Sequence, residues 1–243
     1  MKWQVLKTAP TSAVANMAFD TALLRLLKQQ SEPVLHNYEW SQNALTFGYF
    51  VDPTKYLRPL GLSTHRYQIA RRPTGGGIIF HTYDLAFSVL LPSGHPHFSQ
   101  NTLETYALIN GAVLQAIRRF KGIEAPTTLL ANEPQLLNAP SKQFCMAHPT
   151  KYDVMWQGQK VGGSAQRRTK NGLLHQGSIC LGMVPEDVLS TVLLGGGDVI
   201  NDMKANSYPL LGLNPTPAEL EDARCQLRAL LAECLQNIEE VRP

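Results

Sequence analysis

Three consecutive glycines, Gly75, Gly76 and Gly77, separate a basic pair, Arg71 and Arg72, from the β-branched run Ile78-Ile79-Phe80-His81. No other tripeptide gives up as much backbone entropy on folding. Such a segment is expected where the chain must take positive φ or bring its main chain against a ligand. Peptide N–H groups in a loop of this kind, with two arginines at its entrance, suit an anionic small molecule. The glycines alone are equally compatible with a tight β-turn. Two phosphate-binding loops are excluded. No Gly-Lys-Ser/Thr follows, as a Walker loop requires, and the pattern that comes next is that of a strand, unlike the helix of a dinucleotide fingerprint.

A second stretch constrains the chain further. Val154 and Trp156 on one side of Gln157-Gly158, and Val161 on the other, predict a hairpin whose turn fixes the register. Lys160 then has a determined place in a strand, where a lone lysine is ordinarily a solvated edge residue. Here Gly162, Gly163, Ser164 and Ala165 follow it. Neighbours this small leave the ammonium unscreened from a docked ligand.

Together these stretches resemble the lipoate-protein ligase and octanoyltransferase family. Its pattern is Arg-Arg-x-Ser/Thr-Gly-Gly-Gly/Arg, a short strand and His, then Gly-x-Lys-x-x-Gly-Ser-Ala and a His-Gly-Ser/Thr segment. Residues 71–77, His81, residues 158–165 and residues 175–178 match it in order. Asn16-Met17-Ala18-x-Asp20 resembles the family's first helix, and residues 44–49 its early strand. The resemblance implies an α+β (mixed α/β) fold of the biotin/lipoate protein ligase type, with mixed sheets flanked by helices. It implies an enzyme that joins a lipoyl or octanoyl group in amide linkage to a lysine of a carrier domain. Lys160 and Cys145 are its implied catalytic residues. Arg72, Thr74, Gly75, Gly76, Gly77, His81, Gly163, Ser164, Ala165 and His175 are its implied substrate-binding residues. The implied partners are lipoyl domains of 2-oxoacid dehydrogenase complexes or the glycine cleavage H protein, with acyl carrier protein as a donor.

The chain departs from the pattern at several points. Thr82 follows His81 where ligases commonly carry Asp, with Asp84 two positions later, and His175-Gln176-Gly177 stands where ligases have His-His-Gly. The arginine-rich glycine loop of biotin ligases is absent. Too few residues follow the catalytic region for the accessory domain of larger ligases, so residues 1–243 are expected to form a single catalytic domain.

A formal net charge of +3 is too small to argue for nucleic acid, though it permits weak steering of an acidic protein partner. The N-terminal residues lack an apolar signal region, and no stretch approaches the roughly 18 to 20 apolar residues of a membrane span. A cytoplasmic protein without nucleic-acid or membrane partners is expected. None of the four cysteines forms a C-x-x-C pair, so neither a zinc ribbon nor a thioredoxin motif is indicated. Cys180 falls in a strand pattern and Cys225 and Cys234 in a helix pattern, which predicts small buried hydrophobes. Cys145 lies in the aperiodic Gln-Phe-Cys-Met-Ala-His-Pro segment, in a loop setting of the kind that carries chemistry.

An amide between a medium-chain acid and a lysine requires prior activation of the carboxyl, as an adenylate or as a thioester. Either route needs donors for the developing oxyanion, which the main chain at Gly75, Gly76 and Gly77 and the Lys160 ammonium can supply. The resemblance pulls both ways. Gly77 is ligase-like, since octanoyltransferases of the cysteine type carry arginine there. Cys145, Pro149 and Tyr152 match the Cys-x-x-x-Pro-x-x-Tyr segment that holds the nucleophile in those octanoyltransferases. The expected absence of an accessory domain tips the reading toward the cysteine route. On it, Cys145 takes octanoyl or lipoyl from a carrier thioester, Lys160 favours the thiolate, and no cofactor or metal is permanently bound. The alternative is a ligase in which Arg72, the glycine loop and Lys160 hold lipoyl-adenylate made from ATP and magnesium. A non-catalytic binder of lipoylated carriers is a third reading, disfavoured by retention of both the glycine loop and Lys160.

Hydrophobic periodicity predicts a helix over 13–28 and strands over 34–38, 45–49, 78–81 and 85–91, the last closed by Pro92-Ser93-Gly94. Asn101 and Glu104 predict a capping box opening a helix to about Phe120. A short helix over 186–194 is expected to stop at Gly195, Gly196 and Gly197. Thr216-Pro217-x-Glu219 predicts a helix start, with Leu220, Leu227, Leu230, Leu231 and Leu235 buried along the helix to about Ile238.

Overall fold

A computed structural model describes residues 2–122, 127–132 and 140–238. In chain order its elements are β1 (Gln4–Lys7), α1 (Ala13–Leu26), β2 (Val34–Asn37), β3 (Ala44–Phe47), α2 (Pro59–Thr64), β4 (Gln68–Arg71), β5 (Ile78–Phe80), β6 (Asp84–Pro92), α3 (Thr102–Lys121), β7 (Thr127–Leu129), β8 (Val154–Trp156), β9 (Gln159–Thr169), β10 (Gly172–Cys180), α4 (Glu186–Val192), α5 (Gly197–Asn206) and α6 (Pro217–Gln236). Seven strands form one sheet in the order β1-β2-β6-β10-β9-β8-β7, and three form a second in the order β4-β3-β5. Pairing is parallel at β1-β2 and β3-β4 and antiparallel elsewhere. Mixed sheets flanked by helices are the expected α+β architecture.

Side-chain alternation along β6 and β10 decides what faces the site. Leu85, Phe87, Val89 and Leu91 of β6 join Leu173 and Ile179 of β10 in a core built with α3 and α6. The even positions Ala86, Leu90 and Leu174 pack instead with residues of α1. Both strands are therefore buried along their whole length, as strands covered on two faces must be. Gln176 and Ser178 share the even face of β10 and look toward the small sheet side, whereas His175 shares the odd face with α3.

The β8-β9 hairpin forms as expected, and Gln157 and Gly158 both take positive φ, 49° and 83°, as a type I′ turn requires. The Thr216 capping box is also present, and α6 buries Leu220, Leu227, Leu231 and Leu235 while Leu230 packs partly against the same core. Three expectations need correction. Asn101 caps α3 through its side chain, but Glu104 reaches the Asn101 side-chain amide, while the Asn101 backbone N–H donates to Ser99; the box is half made. Gly197 is no stop signal, because it opens α5, whose Val199, Ile200 and Met203 are buried in a second core cluster. Cys225 is exposed: it lies two residues, about 200° of helix rotation, from the buried Leu227. No helix among the described residues is long and apolar enough to cross a membrane.

Candidate active site

The glycine loop connects β4 to β5 and is hung on β3. Arg72 N–H donates to Phe47 O at 2.8 Å, Tyr49 N–H to Thr74 O at 2.9 Å and Gly48 N–H to Gly77 O at 3.3 Å. The Arg72 side chain turns inward beneath the loop. Its Nη1 donates to Thr46 Oγ1 at 2.8 Å and its Nη2 to the carbonyls of Gly75 and Gly77 at 3.0 and 2.7 Å. Two loop carbonyls are thus held by one guanidinium, a planar fork suited to that task. The peptide N–H groups of Gly76 and Gly77 donate to no group among the described residues. Gly76 takes φ +82°, a conformation that side chains rarely adopt.

Cys145 is brought to this loop by main-chain contacts. Phe144 bridges to Ile78, and Cys145 N–H donates to Ile78 O at 3.0 Å. The approach is so close that a Cβ on Gly77 would lie 2.3 Å from Gln143 O. Arg72 Nη2 stands 3.9 Å from Cys145 Sγ, and a Cβ on Gly76 would lie 3.7 Å from the same sulfur. The guanidinium thus stands beside a partly exposed thiol.

Lys160 enters from β9. It is only 3% exposed, and its Nζ lies 2.6 Å from Asp153 Oδ2 and 3.4 Å from His148 O. Asp153 Oδ2 also accepts from the N–H and hydroxyl of Thr150, at 2.6 and 3.0 Å. Gly163 makes room for this lysine, since a Cβ there would lie 2.4 Å from Lys160 Cε. Lys160 is therefore a buried, paired group rather than the unscreened strand lysine that its small neighbours suggested. An ammonium has three donors, and the two contacts leave one for a ligand in the cavity that Lys160 lines.

These groups surround one cavity of about 430 Å³, lined by Arg72, Gly76, Gly77, His81, Cys145, Lys160, Gly163, Ser164 and Ala165 among others. The two motifs, 80 residues apart, meet in it. Three expected residues do not line it. Thr74 is buried and donates to Gln176 Oε1 at 2.8 Å, supporting the loop from behind. Gly75 gives the loop its carbonyl to Arg72 and stays off the wall. His175, on the odd face of β10, is fully buried between Phe87 and Tyr106, and burial pushes its pKa down to about 3. Gln176 occupies the place on the wall that the motif assigned to its neighbour.

Residues to which the sequence assigned no site role complete the site. Gln176 Nε2 donates to Asp20 Oδ2 at 2.8 Å, and Asp20 also meets His36 Nδ1 at 2.8 Å, Ser88 Oγ at 2.9 Å and the Tyr38 hydroxyl. Burial and the Asp20 charge hold the Tyr38 phenol pKa well above its usual value, so it stays a donor. On the other wall His81 Nδ1 lies 2.7 Å from Asp84 Oδ2, and its Nε2 lies 2.7 Å from Thr46 Oγ1. The same Thr46 oxygen accepts from Arg72. His81 is thereby held between the Asp84 carboxylate and the Thr46 hydroxyl. Ser164 is tied to Asn110 at 3.1 Å, which fixes the small-residue wall.

Residues 12–194 match the family described as lipoyl protein ligase A/B catalytic domain. The octanoyltransferase LipM of Kyrpidia tusciae is 33% identical over 208 residues, covering 85% of this chain and 75% of that protein. The octanoyltransferase LipM of Bacillus subtilis is 31% identical over 209 residues, covering 84% and 74%. Among solved structures, the Ta0514 protein of T. acidophilum with bound lipoic acid has a TM-score of 0.69 at 23% identity, covering 97% of this chain and 87% of that one. At that identity the likeness concerns the fold.

Proposed function

The chain belongs to the lipoyl protein ligase A/B catalytic-domain family, and we propose that it carries octanoyl or lipoyl from a carrier thioester through Cys145 to a lysine of a lipoyl domain. It is an enzyme of lipoate attachment. The observation that carries the route is the Cys145 thiol held beside the Arg72 guanidinium and Gly76, in the cavity that Lys160 also lines.

The Cys145 thiolate attacks the thioester carbonyl, and the Gly76 and Gly77 N–H groups with Lys160 stabilise the oxyanion. The intermediate collapses by expelling the carrier thiolate, which takes up a proton, and leaves the acyl group on Cys145. The neutral amine of the target lysine then attacks this second thioester. It loses a proton as the amide forms and the Cys145 thiolate departs. Arg72 serves both steps by keeping a cation beside the sulfur each time it carries negative charge.

Gly77 had favoured an adenylate in the sequence, but its lack of a side chain has a local cause in the packing of Gln143 upon it. Gly77 is therefore accounted for by packing as well as by the ligase pattern, which weakens its weight for the ATP-dependent route. The reading requires that octanoyl carrier and an apo lipoyl domain yield the octanoyl-lysine amide with neither ATP nor magnesium present. Formation of amide from free lipoate only when ATP is supplied, with none from the thioester, would establish the ligase route instead.

A further inference from the structure

We infer that Tyr49, Phe50, Arg71 and Arg167, at the mouth of the acyl cavity, form the docking surface for an acidic carrier domain that delivers the acyl thioester. This rests on the acyl-transfer reading above. Phe50 is 90% exposed although it lines the cavity, and Tyr49 beside it is half exposed. Their rings meet edge to face at 5.2 Å. The Arg71 guanidinium lies 4.9 Å from the Phe47 ring centroid and donates to Tyr49 O and Val51 O. The Arg167 guanidinium lies 5.8 Å from the Tyr49 ring centroid and 3.3 Å from Pro73 O. Arg71, Tyr49, Phe50 and Arg167 are thereby one continuous patch.

The patch is continuous with the thiol as well. Tyr49 N–H donates to Thr74 O, at the start of the glycine loop whose Gly76 lies against Cys145. Phe50 and Cys145 line the same cavity, so this rim borders the space that a thioester carbonyl must occupy at Cys145. Among the described residues neither Arg71 nor Arg167 is ion-paired with a carboxylate. Asp52, whose carboxyl feels Arg71, is engaged by the N–H and hydroxyl of Thr54 at 3.2 and 2.7 Å. Exposed aromatics flanked by arginines have the composition of binding hot spots, and cations without a carboxylate partner raise association rates with acidic partners. A second copy of this chain, itself at net +3, is a poorer complement than an acidic domain.

The surface is tested by measuring acyl-enzyme formation from two donors, octanoyl-acyl carrier protein as the acidic carrier and octanoyl-N-acetylcysteamine as a small neutral thioester, at low and high salt. Arg167→Glu is expected to raise KM for the carrier about tenfold and to flatten its salt dependence, while kcat/KM for the small thioester stays within about twofold. Phe50→Ala should raise the carrier KM by a similar factor. Equal rates from both donors in wild type and Arg167→Glu, or equal losses from both, would overturn the surface. Wild-type protein that takes octanoyl from neither donor would overturn the acyl-transfer reading itself, and the surface with it.

Discussion

Lys160→Ala should damage both stability and catalysis, and the two losses can be separated. The ammonium is buried 2.6 Å from Asp153 Oδ2, so the substitution strands a buried carboxylate. Breaking a buried pair from one side costs about 3–5 kcal/mol. Asp153 keeps its two bonds from Thr150, which places the loss near the lower bound, about 3 kcal/mol. In a chain of this size about 1 kcal/mol moves Tm by roughly 2–4 °C, so a fall of roughly 6–12 °C is expected. Loss of an oxyanion donor should lower acyl transfer about a hundredfold or more at temperatures where the variant is fully folded. The double variant Lys160→Met/Asp153→Asn removes the orphan charge and keeps a stem over Gly163. It should recover most of the Tm and none of the rate. Calorimetry and octanoyl transfer to a lipoyl domain measure the two effects. A Lys160→Ala protein melting within about 2 °C of wild type would refute the buried-pair account. A double variant with restored turnover would reduce Lys160 to a structural residue.

Gly77→Ala places its Cβ 2.3 Å from Gln143 O, where backbone must move; about 1–3 kcal/mol of stability and about a hundredfold in acylation rate should be lost. Gly75→Ala, with nothing within 4 Å, should leave the melting temperature nearly unchanged in the same calorimetric comparison. His175 is held neutral, its pKa pushed down to about 3, so the unfolded chain binds the extra proton below about pH 6.5. Its contribution is fully present above that pH and falls by about 1.4 kcal/mol per unit as pH drops toward 3, a slope that His175→Phe should remove from urea unfolding curves. In the native protein a thiol reagent should modify Cys145 and Cys225 quickly. Cys180, whose pKa burial pushes up to about 12, and Cys234 should react only on unfolding.

Local features with strong physical signatures were legible in the sequence. The hairpin turn at Gln157-Gly158, the Thr216 cap and the glycine loop all follow from residues with few conformational alternatives. The meeting of loop, Cys145 and Lys160 in one cavity was expected from chemistry and is met in the fold. What was lost depends on long-range packing. His175, expected to bind substrate, faces away from the cavity; a motif position says nothing about strand parity, which is set by pairing β10 with β6. Asp153 carries no motif, yet it governs the state of Lys160. The role of Gly77 as a seat for the cysteine segment depends on a contact with Gln143, 66 residues away, which no local pattern reveals. Arg72, expected to bind substrate, lines the cavity and also braces the loop, with the thiol at its other side, a structural duty that no local pattern reveals.

Intact mass spectrometry after brief incubation with octanoyl-acyl carrier protein tests the central claim most directly. The protein should gain one octanoyl group, which neutral hydroxylamine removes. The gain should persist in Cys180→Ser and Cys225→Ser and vanish in Cys145→Ser, because serine has no comparable thiolate to form. Transfer of that octanoyl to an added apo lipoyl domain, without ATP, should follow. Cys145→Ser protein that modifies the lipoyl domain at the wild-type rate, with no acyl-enzyme trapped in either protein, would contradict the account.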